Sequence, residues 1–307
     1  MEYKEKHQTT AENNQPRTMD TNRERNENNE GINILQINAQ RGKGSSSLLM
    51  HKANKLKADI ILIQEPYTVD KKVVRLGDWQ VLYKNTDKKP KSCIAASTKL
   101  DIALIPNLSS EIITTTIIHH TQPVYVINAY LSPYMKDETA ISKIDKILRK
   151  INSTNIILAG DINAKSKIWY NEKENKRGRF FENLMEEFDL VSVNMTTHPT
   201  FFTTQAKGWT NVCLVSSDLA QLVENCETLL DNSASDHRYV FTQIMHISLK
   251  NEIDYKTVRL TNWDYYRKLF NDNWLSHNFP EIHTRNDIDN YIAHITADMQ
   301  KAGNKAA

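Results

Sequence analysis

From Gly31 onward the chain reads as short apolar runs cut by polar turns. Ile32, Ile34, Leu35 and Ile37 open the series, and it continues at 58–64, 79–83, 93–97, 102–105, 112–118, 124–131, 155–159 and 239–247. The runs are rich in β-branched residues and end at polar or turn-forming ones, which is strand chemistry. Most are apolar throughout, as a strand covered on both faces must be. Three stretches between them carry helical spacing: 45–56, then Asp137–Ile151 behind an acidic first turn, then 178–188 with Phe180, Leu184 and Phe188 on one side. Strands and helices mixed without strict alternation predict an α+β domain of two packed sheets flanked by helices.

The pattern fails at both ends of this region. Residues 1–30 are Asn-, Gln-, Glu-, Lys- and Arg-rich without a period, too polar to bury a core, and are expected to form a disordered leader. After about Ser248, Trp263, Tyr266, Leu269 and Phe270 and then Ile288, Tyr291, Ile292 and Ile295 fall at helical spacing. The expected organisation is therefore a leader (1–30), one domain (31–247) and a helical connector (248–307) that stops without a terminating signal.

Composition narrows the function classes. No apolar run approaches the roughly 20 residues of a membrane helix, so no membrane partner is expected. The three cysteines form no C-x-x-C pair and suit a reducing, intracellular compartment. With 39 Lys+Arg against 37 Asp+Glu, any phosphate-binding surface must be a local patch in a nearly neutral molecule.

Polar clusters stand where apolar runs stop: Asn38 in LQINAQR, Glu65 in ILIQEPY, Asp161 and Asn163 in IILAGDIN, Asp236 and His237 in SASDHRYVF. Such strand ends present groups on loops held by a rigid scaffold. A carboxylate at Glu65, after the apolar Ile60, Ile61, Leu62 and Ile63 and one step past Gln64, invites compensation by a hard cation, and Mg²⁺ suits one or two carboxylates with water and phosphate oxygens; Asn38 could join it. Asp161 and Asn163, two apart, are expected to leave one face of an extended segment, the acid polarising a water and the amide holding it. His237 beside Asp236 offers a titratable ring for charge developing on phosphorus, with Asp236 binding metal or a hydrogen-bond network. Taken singly, each has an ordinary alternative as a turn cap or a solvated strand end.

The ordered set Asn38, QE at Gln64 and Glu65, Y-x-x-P at Tyr130 to Pro133, GDIN at Gly160 to Asn163 and SDH at Ser235 to His237 resembles the endonuclease/exonuclease/phosphatase superfamily. QINAQRGKGS, IQEPY, NAYLSP, GDINAKSKIWYN followed by RG at Arg177 and Gly178, and PTF at Pro199 to Phe201 are similar to the apurinic-type endonuclease domain of non-LTR, LINE-like retrotransposon polyproteins. The resemblance implies a four-layered α/β sandwich and a Mg²⁺-dependent (or Mn²⁺-dependent) endonuclease that acts on double-stranded DNA in the nucleus. The 3′-hydroxyl it leaves would prime a reverse transcriptase domain of the full-length product. It places Asn38 and Glu65 at metal positions, Tyr130 on phosphate, Asp161 as water activator with Asn163 its companion, and Asp236 with His237 as the closing pair.

Two departures stand out. Gln40 replaces an acidic residue of repair-type members. Asn211, in WTNV, replaces an aspartate that accepts the histidine ring proton; an amide accepts the same bond without charge, so Asn211→Asp is expected to raise the rate. A catalytically weakened DNA-binding remnant, or a phosphatase or other phosphodiesterase of the same superfamily, are the alternatives these leave open. A basic stretch at Lys165, Lys167, Lys173, Lys176, Arg177 and Arg179, interleaved with Trp169, Tyr170 and Phe180, is expected to meet the DNA backbone through Lys165, Lys167, Arg177 and Arg179. The pattern does not reveal the oligomeric state.

Overall fold

The computed structural model describes residues 31–118, 122–245, 262–275 and 283–306; the leader expected at 1–30 lies outside them. They fall into two compact units, within Met1–Leu249 and Lys250–Ala307.

In chain order the first unit runs β1 (Gly31–Asn38), α1 (Lys43–Lys55), β2 (Ile60–Gln64), the small hairpin β3 (Thr68–Val69) and β4 (Lys72–Val73), β5 (Gln80–Leu82), β6 (Ser92–Ala96), β7 (Ile102–Leu104), β8 (Ile113–Ile118) and β9 (Val124–Tyr130). It continues with α2 (Asp137–Ile151), β10 (Ile156–Asp161), α3 (Lys176–Glu187), β11 (Leu190–Ser192), the hairpin β12 (Phe201–Phe202) and β13 (Lys207–Gly208), β14 (Asn211–Ser216), the single turn α4 (Ser217–Ala220), β15 (Val223–Thr228) and β16 (Val240–Met245). Two six-stranded mixed sheets result, ordered β15-β16-β1-β2-β6-β5 and β11-β14-β10-β9-β8-β7. The parallel pairs β1/β2 and β9/β10 sit at their centres.

The alternation of each central strand divides its side chains between two cores, which is why the runs are apolar on both parities. Ile32, Ile34, Ile60 and Leu62 of the first sheet meet Val126, Ile157, Ala159, Cys213 and Val215 of the second. The opposite parity of the first sheet, Leu35, Ile37, Ile61 and Ile63, packs with Leu49 and Ala53 of α1. That of the second, Ile127, Leu158, Val212 and Leu214, packs with Ile144 and Leu148 of α2 and Phe181 and Leu184 of α3. Helix, sheet, sheet, helix makes a four-layered α/β sandwich, the expected fold.

Local chemistry fixes the helix ends. Asp137 and Glu138 occupy the first turn of α2, favourable to the helix dipole, and Asn152 closes it in the left-handed conformation. Asn175 caps α3, its Oδ1 accepting the Gly178 N–H (2.7 Å) and also the Lys165 N–H (2.9 Å). A Cβ on Gly178 would lie 1.9 Å from the Lys165 carbonyl oxygen, so only glycine lets α3 lean on the loop after β10.

Strands β11, β14 and β15 and the two small hairpins β3/β4 and β12/β13 lie outside the expected runs. Asn211 and Ser216 cut the apolar part of β14 to four residues, and β15, VENCET, is a polar edge strand. In the second unit, α5 (Trp263–Leu275) and α6 (Arg285–Ala306) pair, with the Asn262 N–H on the Ala306 carbonyl (2.9 Å), and within α5 Tyr266 stacks on Phe270 at 6.3 Å. No helix among the described residues is long and apolar enough to cross a membrane.

Candidate active site

The parity that faces the inter-sheet core turns polar at one end of every central strand. Asn38 continues the series of Ile32 and Ile34, Gln64 that of Ile60 and Leu62, Asn128 and Tyr130 that of Val124 and Val126, Asp161 that of Ile157 and Ala159; Asn211 precedes Cys213 and Val215. Pairing brings the ends level, with Asn38 opposite Gln64 and Asp161 opposite both Tyr130 and Asn211. The site is thus the polar end of the core between the sheets. Gln40, Arg41, Glu65 and Asn163 all take positive φ, so the chain turns sharply just past three of these strand ends. Such local strain is characteristic of functional sites.

Asp161 is the centre. It is buried, its Oδ2 accepts from Asn38 Nδ2 (2.8 Å) and lies 3.9 Å from His237 Nε2, and its Oδ1 has no hydrogen-bond partner. Burial holds its carboxyl above the usual carboxylate range, against the pull of His237 and Asn38; burial likewise holds the His237 ring below its usual value, against the pull of Asp161. Asn38 spends its amide on Asp161 and its Oδ1 on the Gln40 N–H (3.0 Å). This makes it a holder of Asp161, and the second lone pair of its Oδ1 is left for the expected metal contact.

The closing pair comes from the loop before β16. Gln40 ties Asp236 in place, donating from Nε2 to Oδ2 (3.1 Å) and accepting the Asp236 N–H on Oε1 (2.9 Å), while Ser235 Oγ donates to the Asn38 carbonyl (2.7 Å). An acidic residue at 40 could not make the first bond. His237 Nδ1 meets Asn211 Oδ1 (2.8 Å), and the ring packs on Phe201 with centroids 5.1 Å apart. Thr200 Oγ1 accepts the N–H groups of Thr210 and Asn211, each at 3.0 Å, so the PTF segment seats both partners of the pair.

Glu65 lies at the open side, its Oε1 3.6 Å from Arg41 Nε. Tyr130 is largely buried; burial, then the charges of Glu65 and Asp161, push its hydroxyl up to about 12, so it remains a proton donor. Lys91 Nζ stands 5.8 Å over its ring. From this edge opens a cleft of about 610 Å³ lined by Arg41, Lys88, Lys89, Lys91 and Lys143, with Glu111 the one carboxylate. The lysines of KKPK, between β5 and β6, are a basic run visible in the sequence, but only the fold gathers them with Arg41 and Lys143 into a cleft.

No group of three or more His, Cys, Asp and Glu side chains among the described residues converges as a metal-binding cluster. One or two carboxylates with a nearby orphaned acceptor, Asp161 Oδ1, fit a hard ion that keeps much of its water, as Mg²⁺ does, and not a closed protein cage.

Residues 124–241, which carry Tyr130, Asp161, Asn211 and His237, match the family described as endonuclease-reverse transcriptase. The fold and sequence are similar to the endonuclease domain of TRAS1, a telomere-specific non-LTR retrotransposon, at 26% identity and TM-score 0.63, covering 69% of this chain and 98% of that one. In fold and in the matched segment the chain is similar to the endonuclease/exonuclease/phosphatase superfamily. Two AP endonucleases share the superfamily fold: that of Leishmania major (16% identity, TM-score 0.58, 71% of this chain and 88% of that one) and that of Archaeoglobus fulgidus (17%, 0.57, 70% and 100%). No curated protein sequence matches. The family match and the TRAS1 likeness support a phosphodiester-hydrolysing enzyme.

Within the superfamily domain two expected roles are corrected. Asn163 is not on an extended segment beside Asp161: its φ is 50° and its Nδ2 donates to the Leu131 carbonyl (3.1 Å), bracing the turn after β9. Arg177 is buried and cannot reach a DNA backbone, because its guanidinium donates to the carbonyls of Leu131, Ser132, Ile162 and Met135 and pairs with Asp137 (2.9 Å). It clamps the YLSP and GDIN turns together. Lys165, Lys167 and Arg179 remain exposed.

Proposed function

We propose that this domain is a Mg²⁺-dependent endonuclease of double-stranded DNA that leaves a 3′-hydroxyl, used to prime reverse transcription by a polymerase domain of the same polyprotein in the nucleus. The observation that carries the reading is the basic cleft that opens from Arg41, beside Glu65: five cationic side chains around one carboxylate, Glu111, in a molecule of net charge +2, suit a polyanion extending beyond the scissile phosphate. The TRAS1 likeness and the family description support the retrotransposon setting.

Glu65 and Asp236 would hold the ion, which supplies charge neutralisation on the phosphate. Asp161, more basic than an ordinary carboxylate because it is buried, takes a proton from the attacking water. Asn38 keeps Oδ2 of that acid oriented. Tyr130 donates a hydrogen bond from its hydroxyl to a phosphate oxygen, and His237 presents Nε2 toward Asp161.

The test is supercoiled plasmid with Mg²⁺. Open circles whose nicks a polymerase extends without prior end repair are expected. Binding without nicking would replace this reading with the weakened remnant, and release of phosphate from 3′-phosphoryl ends alone would make the protein a phosphatase.

A further inference from the structure

Behind His237 runs a line of buried amides that crosses between the sheets and has one direction. Asn128 Nδ2 donates to two backbone carbonyls, Cys93 (2.7 Å) and Ile63 (3.1 Å). Those carbonyls can only accept, so the amide of Asn128 cannot be turned over, and its Oδ1 must face Gln64. Gln64 therefore presents Nε2 to it (2.6 Å) and Oε1 to Asn211. Asn211 in turn donates from Nδ2 to Gln64 (3.2 Å), which leaves Oδ1 for the ring of His237 (2.8 Å). An oxygen there demands a proton on Nδ1.

We propose that Gln64 and Asn128 are positioning residues that fix the tautomer of His237 through the Asn211 amide. Neutral imidazole in water favours its proton on Nε2; here the amide line holds it on Nδ1 and leaves Nε2, the nitrogen nearest Asp161, as the one that exchanges protons with the site. The line works because every member is an amide, a donor at one end and an acceptor at the other. Asn211 is consequently a required part of it, and the expected gain from Asn211→Asp is reversed: a carboxylate would set an oxygen against Gln64 Oε1 at about the present 3.2 Å with no proton between. The tautomer assignment stands apart from the endonuclease reading, which enters only through the nicking rates.

The experiment is long-range ¹H–¹⁵N NMR of histidine-labelled protein above the unperturbed histidine pKa of about 6.5, with His237 assigned by its loss in His237→Gln. Wild type should show a protonated Nδ1 and a bare Nε2. Gln64→Met removes the acceptor that orients Asn211, so the Nε2–H form should appear and nicking should fall about tenfold or more, by analogy with wrong-tautomer histidines elsewhere. An Nε2–H ring in wild type, or Gln64→Met with an unchanged Nδ1–H signal, would overturn the proposal whether or not the protein nicks DNA. Should Gln64→Met fail to fold, Asn211→Asp decides: a lowered Tm with a rate at or below wild type supports the amide line, and a faster enzyme with unchanged Tm refutes it.

Discussion

Gln40 holds Asp236 from both ends, donating to its carboxylate and accepting from its backbone N–H, and so ties the loop after β1 to the loop before β16. Gln40→Glu would keep the second contact and turn the first into a like-charge pair. Because both residues are exposed, the expected cost in chelator is below about 1 kcal/mol, a Tm drop of a few degrees at most. Added Mg²⁺ should restore more Tm to this variant than to wild type. An equal metal response in a thermal melt would show that Asp236 does not face the ion.

Glu65 and Asp161 should separate by what their removal leaves behind. Glu65→Ala should raise the Mg²⁺ concentration needed for half-maximal nicking, whereas Asp161→Ala should lower turnover by a factor of roughly a thousand, as removal of a central acid–base group does. Nicking that survives in excess EDTA would contradict both.

The metal-free protein should also report Asp161 through stability. Its folded carboxyl lies above the ordinary value of about 3.9 because of burial, so its contribution is fully present below that pH and is lost as pH rises through the folded value. His237 is depressed by burial and behaves oppositely: its contribution is present above about 6.5 and lost as pH falls toward the folded value. In chelator, Asp161→Asn should therefore melt a few degrees higher than wild type at pH 7 while being inactive, and the gap should close as pH approaches 4. A constant gap across that range would mean the carboxylate carries no burial penalty.

Arg177 and the cleft lysines should part along another axis. Arg177→Lys strips the forked hydrogen bonds from a buried guanidinium and should cost about 3 kcal/mol or more, read in urea unfolding. Lys88, Lys89 and Lys91 changed together to Gln should leave unfolding nearly unaltered and flatten the plot of log affinity against log salt by about 0.9 for each phosphate no longer neutralised. The same change at Lys165, Lys167 and Arg179 should flatten it less. The reverse ranking would move the DNA track to the α3 side.

The apolar runs were legible because strands buried on both faces have no polar parity to confuse the reading; what they hid was which parity faced which core. Once Ile60 and Leu62 are known to look toward the other sheet, Gln64 must look there too, and the same count places Asn128 and Asn211. Glu65, one step further, stands out in the sequence, while Gln64 passes as a strand residue. Arg177 misleads because a basic residue among exposed lysines gives no hint that five acceptors surround it. Asn163 misleads because a D-x-N spacing is the same in a strand and in a left-handed turn.

Gly160 shows how little room this arrangement has. A Cβ there would lie 1.9 Å from the Ala129 carbonyl oxygen, so β9 and β10 touch backbone to backbone immediately before the positions of Tyr130 and Asp161. Any side chain at 160 would part the two strands and carry the phenol away from the carboxylate while leaving both chemically intact. Gly160→Ala is thus a lesion of position: every functional group would be present, but Tyr130 and Asp161 would no longer reach the same phosphate.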